Sequence, residues 1–121
     1  MGPLSSGPLT TEELTLLEST LLPAMERHHL RLLAHGLRSL QAIAGRRSGP
    51  IPEAGVIADW ASQQQSIHTD AAFQRMFTVQ LTRLGEALTQ IAAQRHCDPL
   101  ALELPDLCAW AIEQADRRLE R

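Results

Sequence analysis

Between Phe73 and Ile91 the apolar residues Phe73, Phe77, Leu81, Leu84, Leu88 and Ile91 recur at steps of four and three. A strand would scatter these positions over two faces, whereas an α-helix gathers them along one side. The stretch therefore predicts a long helix packed on a seam, and a chain built around it needs further helices to cover that seam. The rest of the apolar inventory agrees. Tyr is absent, Phe and Trp number two each, and Leu and Ala dominate. Leu and Ala lose little rotamer freedom in a helix, while strands favour β-branched and aromatic residues.

An earlier leucine pattern runs through Leu14, Leu17, Leu21 and Met25 and resumes at Leu33, Leu37, Leu40 and Ala44. Thr10 and Glu13 have the spacing of a capping box, which starts this helix. Pro23 lies inside it; its missing N–H and its ring should bend or break the helix near Ser19–Leu22. The expectation is one long helix kinked near Pro23, or a short helix feeding a longer one, ending at Gly45. "GRRSGPIP" then reads as a linker, with Pro52 at the first position of a short helix carrying Val56, Ile57 and Trp60. Thr69 or Asp70 caps the Phe73–Ile91 helix. Asp98-Pro99 starts a single turn, and Pro105-Asp106 starts a last helix with Leu107, Cys108, Ala111, Ala115 and Leu119 inward. The chain of 121 residues is enough for one core and short for two. The predicted fold is all-α, about four helices in an antiparallel bundle, with residues 1–9 a flexible lead-in and 10–121 one domain.

The feature that asks for a function is "MERHHLRLLAHG" (25–36), with three of the five histidines. His28, Arg31, His35 and Arg38 follow helical steps, Arg27 flanks them, and Arg46 and Arg47 carry the charge into the loop. Residues 24–47 hold a formal +4 and residues 97–121 a formal −3, within a chain of −3. Every basic residue is Arg, so an anion contact here would use a planar fork of donors. The bland explanation is a wet face neutralised by the acidic last helix, or by the acidic first turns of a neighbour. The functional one is a protein-docking surface formed by Arg27, His28, Arg31, His35, Arg38, Arg46 and Arg47, with Trp60 beside the arginine loop. A leucine arc as wide as that of Leu30, Leu32, Leu33 and Leu37 also favours a homodimer.

Other chemistries are poorly served. Glu26 and His29 have the Glu-x-x-His form of carboxylate-bundle metal sites, but no second copy exists, so they are weak metal candidates and no cofactor is expected. No nucleophile elbow, phosphate loop or dinucleotide fingerprint is present, and the His96-Cys97 pair sits near a helix end where the dipole alone favours His, so no catalytic residue is assigned. No signal-peptide pattern or membrane-length apolar run appears, which makes a cytoplasmic protein the expectation. The reading is a small non-catalytic adaptor, assembly or regulatory protein acting through an unidentified protein partner. Two alternatives remain: a nucleic-acid-associated regulator using the Arg/His face, which no interleaved aromatics support, and a metal- or tetrapyrrole-binding bundle centred on an inward His29.

Overall fold

The computed structural model describes residues 9–64 and 70–119. They form five α-helices: α1 (Thr11–Glu18), α2 (Ala24–Ala44), α3 (Ala54–Ser62), α4 (Ala71–Gln94) and α5 (Leu104–Leu119), with a 3-10 turn at Pro99–Ala101 before the last. No strand occurs among the described residues. The all-helical bundle matches the sequence pattern; the count is five instead of four.

The fifth helix comes from Pro23, which breaks the first pattern outright where a kink was the leading expectation. α1 stops at Glu18, Ser19 and Thr20 fold their hydroxyls back onto the carbonyls of Leu16 and Leu17, and α2 restarts behind Pro23. Between them Leu21 takes a left-handed backbone with φ 58°. A leucine there costs about 1–2 kcal/mol, because its Cβ crowds the following carbonyl. The break also rotates the apolar pattern. Leu17 and Leu22 are buried, but Leu21 and Met25, expected in the same stripe, are 89% and 83% exposed.

Local signals at other termini behave as chemistry dictates. Thr10 and Glu13 complete the capping box. Asp70 accepts from the Phe73 N–H at 2.9 Å, while Thr69, the alternative cap, lies outside the described residues. Gly45, at φ 71°, ends α2 with the Arg46 N–H reaching the Gln41 carbonyl, a left-handed stop that glycine adopts without penalty. His96 does the same for α4 at φ 58°, with Cys97 N–H on the Ala92 carbonyl. Pro52 stands outside α3, which starts at Ala54, and α5 starts one residue ahead of the expected Pro105.

The core joins Leu30, Leu33, Leu37 and Leu40 of α2 to Leu81, Leu88 and Ile91 of α4, Leu100 and Leu102 around the 3-10 turn, and Leu104 and Leu107 of α5. α4 packs on both α2 and α3, and α2 also meets α5. Two glycines allow close approach. A Cβ at Gly36 would lie 2.9 Å from Cδ1 and 3.1 Å from Cβ of Leu84, and one at Gly85 would lie 2.7 Å from Cγ2 of Ile51. The seam is shorter than its sequence pattern: Phe73 is 46% exposed, and Leu119 at the end of α5 is 85% exposed. Leu9, the last residue of the expected lead-in, is buried; residues 1–8 are outside the described part.

"GRRSGPIP" is fastened to the fold and is no loose linker. The Gly49 N–H donates to Asp98 Oδ2 at 3.1 Å, and the Leu100 N–H donates to the Gly49 carbonyl at 3.2 Å. Buried Gln41 completes the clasp by donating from its amide to the Leu100 carbonyl at 2.9 Å.

Candidate interaction site

The expected Arg/His face divides in two. Arg27, Arg31 and Arg38 turn toward α1, whose carboxylates they hold; His28 is exposed and His35 half-buried. The split follows from helix geometry, since positions four and seven apart stack on one line while intervening residues point elsewhere. Glu18 serves two arginines: Arg27 Nη1 donates to one carboxylate oxygen at 3.0 Å and Arg31 Nη2 to the other. Glu13 takes both Nε and Nη2 of Arg38 on Oε2, at 3.1 and 2.7 Å, while its Oε1 accepts the Thr10 N–H. Arg38 also donates to Gln41 Oε1 at 2.8 Å, so the amide that clasps Leu100 is satisfied at both ends.

These contacts settle the source of neutralisation. The acids come from α1, not from the acidic last helix. α5 instead contributes a cation, Arg118, to Glu26. Burial would raise the Glu13 carboxyl, but the Thr10 hydrogen bond and the Arg38 and Arg47 charges outweigh it and hold it below its ordinary range. Desolvation, helped by the Arg31 charge, holds the His35 imidazole below its usual 6.5. Neutralisation is incomplete. Three ridge arginines, with Arg47 acting on Glu13 from the loop, face two α1 carboxylates. Nε of Arg27 is buried with no hydrogen-bond partner.

Toward the end of α2 the ridge opens into a groove of ≈ 310 Å³ lined by Glu13, Leu16, Arg38, Arg47, Leu102 and Pro105 among others. Arg46 is exposed but folds its guanidinium onto the Ser48 and Pro50 carbonyls. Trp60 is stacked on Phe77, with centroids 5.9 Å apart and planes 16° from parallel. Its ring serves the α3–α4 seam, and the arginine loop is held by Asp98 and Leu100.

His29 is exposed, contrary to the expected inward position, and its ring lies 6.1 Å from Trp110. With Met25, Glu26, Ala111 and Arg118 the two rings line a second groove of ≈ 360 Å³ between α2 and α5. Glu26 and His29 do share this groove, but the carboxylate is engaged by Arg118. No three His, Cys, Asp or Glu side chains converge as a metal site among the described residues.

A family model for the NDH complex assembly factor CRR9 matches residues 9–118, the whole of α1 through all but the end of α5. The chain belongs to this family. No curated protein and no solved structure matches it.

In this CRR9-family chain both thiols are held above their ordinary range. Cys108 is buried and Cys97 exposed, both unpaired. Burial raises each thiol, and Asp106 and Asp98 raise Cys97 further, which disfavours the thiolate that His96 would have to stabilise. His68, which the sequence places next to Thr69 and Asp70, lies outside the described residues. No helix of the described structure is long and apolar enough to cross a membrane. Sequence reasoning read Glu13 only as a cap and Asp98 only as a turn residue, without their distant partners, and missed Glu18 and Gln41. The signal for the two glutamates was present in Pro23: a break there lets α1 fold back, and its acids then meet the arginines that follow the break.

Proposed function

We propose that this protein serves assembly of the NDH complex by holding a protein partner, without performing catalysis itself. The CRR9 family match over residues 9–118 carries this reading. The surface supports it. Arg27, Arg31, Arg38 and Arg47 form a ridge with surplus charge, and the neighbouring groove adds Leu16, more than a third exposed, as an apolar contact. Arginine beside desolvated apolar pockets is the composition of interface hot spots. The lack of aromatic side chains among the residues lining this groove, where bases would have to stack, weighs against nucleic acid.

The test is genetic and biochemical. Removing the protein from its native cell should deplete the NDH complex on native gels, and the wild-type chain should restore it. A chain carrying Arg27→Glu and Arg31→Glu should melt within a few degrees of wild type and fail to restore it. Full restoration by that variant refutes the ridge as the docking surface.

A homodimer is a second reading, favoured by the outer side of α4. Phe73, Met76 and Val79 stand 46%, 68% and 49% exposed at helical spacing, beside Arg75 and Arg83. Light scattering giving a monomer at micromolar concentration rejects it.

A further inference from the structure

Helix α1 sits on the arginine ridge as an acidic amphipathic helix would, yet its hold is thin. It spans eight residues, near the lower limit at which a helix persists, and its stability has to come from packing. Within α1 Leu17 is the one buried side chain, with Leu9 and Leu22 buried at its flanks, while Leu14 and Leu16 are more than a third exposed. Two of its three ion pairs to the ridge use Glu18 and are solvent-exposed; such pairs contribute little. The tether behind it is strained, since Leu21 occupies a left-handed backbone with its side chain almost wholly in solvent. The ridge below is left unsatisfied: one carboxylate is shared by Arg27 and Arg31, and the Arg27 Nε is buried without a partner.

We propose that α1 is a placeholder on a docking site: the Arg27–Arg31–Arg38 ridge receives an acidic amphipathic helix of a partner protein, and α1 covers the ridge until that helix displaces it. The occupant's chemistry is read from α1 itself. It carries carboxylates about five residues apart, to reach the positions of Glu13 and Glu18, and a leucine between them at the position of Leu17. A further carboxylate in the partner supplies the acceptor that Arg27 Nε lacks. Covering the ridge in the unbound protein hides an arginine-rich apolar strip from non-specific acidic segments. Displacement also lets Leu21 leave its strained conformation. The inference rests on the protein-docking reading above and names the kind of partner.

The probe is a labelled synthetic peptide of residues 9–22, added to the full chain. α1 competes from the same molecule at high effective concentration, so the wild-type protein should bind the peptide weakly. Glu13→Gln with Glu18→Gln removes the carboxylates of the placeholder, and Gln at position 13 keeps the capping box. That chain should bind the peptide at least tenfold more tightly, with affinity falling as salt rises. Adding Arg27→Gln and Arg31→Gln should abolish the gain. Equal affinity of wild type and the double-Gln variant, or a gain that survives loss of the arginines, overturns the proposal. If the double-Gln chain does not fold, hydrogen exchange on the wild type decides. α1 amides should exchange at least tenfold faster than those of Leu33 and Leu37, and equal protection overturns the placeholder. These outcomes concern the ridge alone. They are independent of whether the cell lacking the protein loses its NDH complex, which tests the assembly reading.

Discussion

The contact of α2 with α1 and its contact with α4 are opposite kinds of interface on one helix. Toward α4 the surface is apolar and close, with Gly36 letting Leu84 approach the helix backbone. Toward α1 it is a row of guanidinium groups holding two carboxylates, with Leu17 as the one buried side chain of that helix and Leu9 and Leu22 buried at its flanks. The first holds the fold together through area removed from water and through shape. The second gains less from each ion pair, and can be taken apart without dissolving the core. Stability and adaptability are thus assigned to different sides of α2.

The sharpest way to break this comparison is to truncate one leucine on each side. Leu37→Ala should cost about 2–5 kcal/mol in urea-melt stability, as buried leucine truncations do. Leu17→Ala, although Leu17 is equally buried, should cost less than half as much, because α1 can undock locally and so caps the loss. Equal costs would mean that α1 is an integral part of the core. Next in size is Gly36→Val, which drives two methyl groups against Leu84 and should destabilise by about 1–3 kcal/mol. A similar overpacking change has no counterpart under α1.

Acidification should lower stability in two steps without any truncation. His35 and Glu13 both titrate below their ordinary values in the folded chain. A depressed folded pKa contributes stability that is complete above the unfolded value and lost as pH falls through the folded one. Loss should therefore begin below about pH 6.5 with His35 and continue below about 4.5 with Glu13. Urea midpoints across pH 7 to 3 should show both limbs. His35→Gln should remove the upper one, and Arg38→Met should reduce the lower. The smallest effect belongs to the left-handed residues. His96→Gly should stabilise by about 0.5–1 kcal/mol, since glycine takes that backbone without crowding. Leu21→Gly should do so by a similar amount, visible as slower exchange in α1, because Leu21 gives up almost no burial.

What was legible from the sequence was local. The capping box at Thr10, the stop at Gly45, the cap at Asp70 and the turn at Pro99 each depend on residues within one helical turn. The partition of the arginines was not legible, because it depends on where α1 lands after the break at Pro23. Periodicity continued straight through that break, so Leu21 and Met25 were assigned to a stripe they leave. Trp60 was expected beside the arginine loop by proximity in the chain; stacking on Phe77 fixes it elsewhere. Asp98 and Gln41 gave no signal in advance, since their partners are backbone groups about fifty to sixty residues away.

Those distant partners also shape how the chain reaches its native form. Gln41 and Leu100 stand 59 residues apart, a span that encloses all of α3 and α4. Closing so wide a ring from an unordered chain is entropically slow, but helices already packed within it shorten the journey of its ends. The clasp is therefore expected to shut after α2 and α4 have packed. α1 lies outside the ring, so its docking does not wait on that closure.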